Sequence, residues 1–261
     1  MKRESIVKSM VLGALVFGGG ACFADVLLLQ DTFDTANGQD INANLVSRQS
    51  GTEATSAWTD NAGNNWTTQM DGNTIRLYKN ASAGGSVFAI LGTDFAPVAT
   101  EVRVSVDIQN INPSDGFSMV NLGMAVADGF SANAGYSFRL DARTGTLFLK
   151  FYDNGVQKGT MDVDALAGGG FESLVIDFTD GNELSATFNG TAYEFGSGQT
   201  SYTGTSEAEN HVMLGWYGDG DPSLTSAKFD NLTVTSIPEP AMLGLMCGVS
   251  FGLLFIRRIT G

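Results

Sequence analysis

Apolar and polar residues alternate with a period of two through much of the chain. Val102, Val104, Val106 and Ile108 alternate with Arg103, Ser105, Asp107 and Gln109. Tyr136, Phe138 and Leu140 alternate with Ser137, Arg139 and Asp141. Leu174, Ile176 and Phe178 are followed by a second alternating run at Leu184, Ala186 and Phe188. A period of two predicts strands that bury one face and wet the other, as antiparallel sheets do. Between these runs stand Thr144-Gly145, Asn154-Gly155, Gly181-Asn182 and Asn189-Gly190, residues that tolerate the positive φ of tight hairpin turns. No long 3.6-residue period occurs between Asp25 and Ser236, although Val163 to Ala167 could form one helical turn, and Gly196 to Asn210 reads as a polar loop. No internal repeat is present. The expectation is one all-β domain, a two-sheet antiparallel sandwich of jelly-roll form.

The two ends depart from this pattern. Lys2, Arg3 and Lys8 precede an apolar run from Met10 to Phe17, then three glycines and Ala21-Cys22-Phe23-Ala24. A basic start, a short apolar core and small residues are the order of a secretory signal peptide, with cleavage expected after Ala24. The apolar core is shorter than the about 20 residues that span a bilayer. A buried N-terminal helix is the structural alternative. Acylation at Cys22 is another, although Gly19 stands where a lipoprotein has a Leu-like residue.

At the far end, Ile237-Pro238-Glu239-Pro240 leads into Ala241 to Ile256, which carries no charge, and then Arg257 and Arg258. Proline neither continues a helix nor donates to a sheet ladder, so the pair separates the tail from the domain. As a helix rising about 1.5 Å per residue, 241–256 would reach roughly 24 Å, short of the ~30 Å hydrocarbon core. That length suits a temporary membrane stop. The arginines would stay cytoplasmic and the domain outside. The segment resembles the PEP-CTERM sorting signal in its Pro238-Glu239-Pro240 triplet, apolar helix and basic end, with Ile259-Thr260-Gly261 trailing the arginine pair as a departure. The resemblance covers 237–261. It implies an exosortase as processing partner after passage through the Sec translocon and signal peptidase. It further implies a Gram-negative host that makes exopolysaccharide, transient inner-membrane anchoring, and delivery to the cell surface or matrix. A plain C-terminal anchor is the alternative.

With both ends set aside, the domain spans 25–236 and holds neither cysteine, since these are Cys22 and Cys247. It must be stabilised by core burial rather than by disulfides. Five of the 14 Lys and Arg and two of the 28 Asp and Glu lie in the ends, so 9 basic face 26 acidic residues and the domain carries −17. Phosphate binding needs a basic face, which excludes nucleic acid as a partner class. Cations and neutral polymers are compatible, and solubility alone also accounts for the charge.

A second resemblance concerns the domain. Asp31-Thr32-Phe33-Asp34 near its start and Lys228-Phe229-Asp230-Asn231-Leu232-Thr233-Val234 at its close are similar to the first and last strands of concanavalin A-like, LamG-type sandwiches. So is the run Leu174 to Phe195. The resemblance implies that the terminal strands pair.

Catalytic chemistry has little to work with. His211 is the one histidine and begins a predicted strand, so a structural role outweighs a catalytic one. Counting excludes zinc sites built on His and Cys, and no phosphate loop occurs. Glycosidases need two carboxylates held about 5 to 9 Å apart. The Glu-x-Asp-x-x-Glu strand of laminarinase-like enzymes is absent; Glu207-Ala208-Glu209 and Asp162-Val163-Asp164 do not supply it. No catalytic residue is expected, with a divergent polysaccharide hydrolase or lyase kept as the minor alternative.

Calcium takes about six to eight oxygen ligands. Asp31, Asp34, Asn37 and Asp40 follow the first strand, and Asp230 and Asn231 lie in the last, where Phe229 and Leu232 break the alternation and predict a bulge. If the terminal strands pair, Asp31, Asp34, Asp230 and Asn231 could meet as a structural Ca²⁺ site, against the alternative of ordinary Asx turns. Asp219-Gly220-Asp221 is a second candidate. Pyranose rings stack on aromatic faces, so Trp216 and Tyr217, with Trp58 and Trp66, are candidate platforms; burial in the core is the alternative. The expectation is an exported surface or matrix protein whose sandwich binds carbohydrate, exopolysaccharide included. The alternative is a purely structural matrix component.

Overall fold

Alternation places one apolar row per strand, and two sheets close over those rows. The computed structural model describes residues 25–61, 66–79, 85–95, 101–111, 116–124, 135–141, 145–168, 170–179, 183–204, 211–218 and 226–237, with only the backbone of 66, 79, 110, 111 and 121–124. The expected signal segment with Ala24 and the tail with Pro238, Glu239, Pro240, Arg257 and Arg258 lie outside the described residues. So do Thr144, Gly181-Asn182, 205–210 and Asp219-Gly220-Asp221.

The strands in chain order are β1 (Val26–Asp31), β2 (Gln49–Ser50), β3 (Trp58–Asp60), β4 (Trp66–Met70), β5 (Ile75–Lys79), β6 (Gly85–Leu91), β7 (Val102–Ile111), β8 (Gly116–Met124) and β9 (Tyr136–Asp141). They continue as β10 (Phe148–Asp153), β11 (Val156–Asp162), β12 (Glu172–Thr179), β13 (Glu183–Phe188), β14 (Thr191–Ala192), β15 (Ser201–Thr203), β16 (His211–Gly218) and β17 (Ser226–Ser236). The described helical residues are a single turn, α1 (Leu45–Arg48), and a 3-10 turn at Asp164–Leu166. Leu27–Ile237 form one compact unit.

Among the described residues one sheet has ten strands, with the order β14-β13-β12-β7-β17-β1-β2, while β15 adds to β13, and β5, carrying β4, adds to β17. The other has seven, in the order β11-β10-β9-β8-β16-β6-β3. β12 and β17 both run antiparallel to β7, and the first and last strands, β1 and β17, are neighbours, as the sandwich resemblance implied. The expected alternating runs pair with each other: Leu174, Ile176 and Phe178 lie opposite Phe188, Ala186 and Leu184. The hairpin turns carry positive φ at Asn154 (45°) and Gly155 (77°), and at Asn189 (47°) and Gly190 (78°), the requirement of a type I′ turn.

The core lies between the sheets. Val102, Val104, Val106, Leu174, Ile176, Phe229 and Val234 meet Val120, Phe138, Leu149, Phe151, Leu214 and Trp216 in one buried cluster. One side of this core is aromatic. Phe151 stands 5.0 Å from each of the rings of Phe138, Phe195 and Tyr202, and Tyr193 meets Phe195 edge-on at 4.9 Å. The segment expected to be a polar loop from Gly196 instead includes β15, which pairs with β13, because Tyr202 is drawn against this cluster.

Tyr202 donates its hydroxyl to Asp153 Oδ2 at 2.8 Å. Burial first, and then the hydrogen bond and charge of Asp153, push its phenol up to about 12. An unfolded tyrosine titrates near ~10. A phenol raised on folding stabilises the native state below that unfolded value and loses this contribution as pH rises toward the folded one. Stability should therefore fall between about pH 10 and about pH 12. Denaturant melts of Tyr202→Phe across that window should show a shallower fall than the parent. Identical slopes would remove Tyr202 as a source.

Candidate functional site

Asp31 ends β1 with its side chain turned into the protein, fully buried. It receives the backbone N–H of Phe33 at 3.0 Å, Gln49 Nε2 at 2.8 Å and the indole Trp58 Nε1 at 3.0 Å. Arg48 Nε lies 3.1 Å from Oδ1 as an ion pair without hydrogen-bond alignment. The guanidinium also donates to the Ile41 carbonyl and to Met70 Sδ and lies over the Phe33 ring. Burial pushes the Arg48 guanidinium down from its usual range, and Asp31 beside it pulls the other way. Phe33 adopts φ 53°, a left-handed conformation uncommon for a bulky residue, held there by the Asp31 side chain and a fully buried ring. These contacts occupy Asp31 internally, which corrects its expected role as a metal ligand.

Of the other expected ligands, Asp230 and Asn231 meet at the bulge of β17. At Asp230 the register of β17 on β7 shifts, and Asn231 takes φ 51°, so the predicted bulge is present. Asp230 pairs with Asp107 across the strands, Asn231 Nδ2 donates to Asp107 Oδ2 at 2.9 Å, and the Asn231 N–H donates to Asp230 Oδ1 at 2.8 Å. Burial raises the Asp230 carboxyl, the Asn231 N–H lowers it, and the charges of Asp107 and Asp34 add to the rise. Among the described residues, however, no three His, Cys, Asp or Glu side chains group closely enough to hold a metal ion.

The aromatic candidates separate as well. Trp216 is only 2 % exposed and packs in the main core, lying over Gly116 and Gly218, where a Cβ would collide with its ring. Trp58 is equally interior. These burials correct both as open stacking faces; the Trp66 side chain lies outside the described residues. Tyr217, one residue along β16, faces the other way. His211 is buried, with Nδ1 3.1 Å from the Leu91 carbonyl oxygen.

Tyr217 begins an arrangement that alternation alone did not reveal. On the outward face of the seven-stranded sheet it stacks on Phe117 of β8, with centroids 5.1 Å apart and an interplanar angle of 17°. Arg139 of β9 places its guanidinium 5.3 Å from the Phe117 centroid and 3.8 Å from that of Tyr152 on β10. Its Nε donates to Ser137 Oγ at 3.2 Å. Tyr152 donates its hydroxyl to Gln157 Oε1 on β11 at 3.0 Å. The row follows from register. Tyr217 lies opposite Phe117 and Tyr152 opposite Gln157. The steps through Arg139 are diagonal, since its direct partners are Met119 and Lys150. Diagonal neighbours are ~7–8 Å apart, within reach of aromatic and long side chains. Phe117 is itself buried, in a second apolar cluster with Phe88, Ile90, Met119 and Met213, against which Tyr217 packs. Lys150 meets Asp141 at 2.8 Å on the same face. Side chains stand roughly perpendicular to a sheet. Stacking along the sheet therefore engages ring faces within the row, while the Tyr152 hydroxyl is directed along it to Gln157.

No family model matches the sequence, and no curated protein matches it. Solved structures match in fold. The carbohydrate recognition domain of Emp47p aligns with a TM-score of 0.52 at 9% identity, covering 83% of this chain and 99% of that one. A galectin-like protein of unknown function from Bacillus subtilis aligns at 0.52 and 11%, covering 81% and 96%. A non-specific endo-β-1,3(4)-glucanase of family GH16 aligns at 0.53 and 11%, covering 82% and 96%. The domain is thus a jelly-roll sandwich of the concanavalin A-like and galectin-like class. At these identities the likeness is one of fold, and the class spans binding domains and enzymes.

Two variants test this description. Asp31→Ala leaves Arg48 buried without its counter-charge and should cost about 3–5 kcal/mol, read from denaturant midpoints. A loss below about 1 kcal/mol would remove the carboxylate as a structural centre. Asp230→Asn relieves a like-charge pair and should stabilise by about 0.2–1 kcal/mol at pH 7 in chelator. A carboxyl raised on folding costs stability once ionised, so the gain should fade as pH falls through the acid range. The same gain is expected in calcium; a reversed sign there would mark the pair as an ion site.

Proposed function

We propose that this chain is an exported surface or matrix protein whose sandwich binds carbohydrate, a surface polysaccharide in particular, without catalysing a reaction. The observation that carries the reading is the row Tyr217–Phe117–Arg139–Tyr152–Gln157. Its planar groups are locked by one another, with Tyr217, Arg139 and Tyr152 half-buried and Gln157 exposed. Preorganised donors and acceptors suit a hydroxyl-rich ligand, because little side-chain entropy is lost on binding. Lectin-like neighbours support the same reading through the fold, a weaker warrant.

Export rests on the sequence of the ends: the signal-like start to Ala24, and Pro238-Glu239-Pro240 with the apolar tail and Arg257-Arg258. In this reading an exosortase processes the tail and the domain reaches the cell surface or the matrix. That no catalytic step is expected rests on the sequence, which lacks the Glu-x-Asp-x-x-Glu strand of laminarinase-like enzymes.

The test is binding of the full-length chain, held in mild detergent, to dextran, laminarin, mixed-linkage β-glucan, xylan and alginate. Saturable binding to at least one is expected, weakened about two- to tenfold by Tyr217→Ala or Arg139→Ala, the equivalent of about 0.5–1.5 kcal/mol. Trp216→Ala should instead lower the melting temperature, since that ring is core. No binding to any member would leave the structural matrix role. Release of reducing ends would establish an enzyme.

A further inference from the structure

The row of side chains has a direction, and the direction constrains what it can hold. Tyr217, Phe117, Arg139, Tyr152 and Gln157 come from β16, β8, β9, β10 and β11, five consecutive strands of one sheet. Neighbouring strands lie about 4.8 Å apart, so four steps extend roughly 19 Å across the sheet, and more along the oblique line of the row. Every step except Phe117 carries a hydrogen-bonding side chain, and at the β11 end Gln157 Nε2 donates to the exposed Thr160 Oγ1 at 2.7 Å.

Two features argue against recognition of a single terminal sugar. Such recognition uses a confined pocket with one dedicated stacking face. Here Phe117 is engaged by Tyr217 and by Arg139, and Tyr152 by Arg139, so these rings meet partners within the row. At the β11 end, moreover, the row comes to a sheet edge. Among the described residues β11 is the last strand of its sheet, and Gln157, Lys158 and Thr160 are all exposed. A ligand aligned with the row can run off the sheet edge at that side.

Resting on the carbohydrate reading above, we infer that the site takes an internal run of a polysaccharide, laid across the strands and continuing past β11, rather than a chain end. Affinity is then a sum of weak, repeated hydrogen bonds. Each contributes little, so a monosaccharide binds poorly, and strength accumulates with length until the row is filled.

The experiment uses the full-length chain in detergent. The probes are size-graded fragments of whichever of laminarin, mixed-linkage β-glucan, xylan, dextran and alginate binds most tightly. Each length is tested with free and with chemically reduced ends. Affinity should rise at least tenfold from monosaccharide to the longest fragment and then level off, and reduced ends should make no difference. Gln157→Ala should lower the affinity of the longest fragments about two- to tenfold and flatten the upper end of the series. A monosaccharide that competes as well as the polymer, or binding abolished by modifying the ends, would overturn the internal-run assignment while leaving carbohydrate binding intact. Absence of binding at every length would overturn both.

Discussion

A buried carboxylate with four donors around it holds one side of this sandwich together. Asp31 belongs to the ten-stranded sheet through β1, and Trp58, which donates to it, belongs to the seven-stranded sheet through β3. The same oxygens take Gln49 of β2 and lie against Arg48. One side chain thereby ties both sheets to the connection that runs between their edges. A buried ion pair contributes little net stability over a well-packed apolar substitute. Its consequence is specificity: Arg48 can be satisfied only where Asp31, the Ile41 carbonyl and Met70 converge, so the long connection from 32 to 57 has one place to go. In a domain without cysteine, this polar hub fixes a path that a disulfide could otherwise fix.

Alternation made the ten-stranded sheet legible and left much of the seven-stranded one unread, for a physical reason. β7, β12 and β13 bury one face and wet the other, so their sequences carry a clean period of two. β6 and β16 bury both. Val87, Ala89 and Leu91 enter the main core while Phe88 and Ile90 enter the outward cluster, and Val212, Leu214 and Trp216 are matched on the far side by Met213. A strand with two buried faces reads as a continuous apolar run, and its period disappears. Trp216 and Tyr217 show the cost. Adjacent in sequence, they were taken together as a platform, yet successive strand residues point to opposite faces, and one is core while the other belongs to the row. The row itself needed register, since Arg139 lies between two rings that are distant from it in sequence. Asp31 was misread for a related cause: Asp230 lies at the bulge, while the place of Asp31 in its own strand points it inward.

Excess acid in this domain has a visible local expression. Asp107 and Asp230 face each other across β7 and β17, and Asn231 bridges only part of the charge. The bulge makes the arrangement possible, because the left-handed turn at Asn231 brings an amide donor to bear on Asp107. On the outward face of the other sheet, Arg139 and Lys150 lie directly opposite each other, two of the nine basic residues of 25–236. Like charges placed opposite are unfavourable in either sheet. On the seven-stranded face the repulsion is offset by neighbours of fixed geometry, the rings on Arg139 and the carboxylate of Asp141 on Lys150.

That offset bears on how such a surface could bind anything tightly. Long cationic and aromatic side chains on an open sheet lose rotamer freedom when a ligand arrives, and the loss opposes binding. Stacking Arg139 between Phe117 and Tyr152 incurs that loss during folding instead. The groups that face solvent are then already ordered, at the spacing of the strands that carry them. Groups ordered at regular intervals across several strands favour a ligand that is long and repetitive. The stack thus serves two ends at once: it stabilises the outer face of the seven-stranded sheet, and it fixes the intervals at which a polymer could be held.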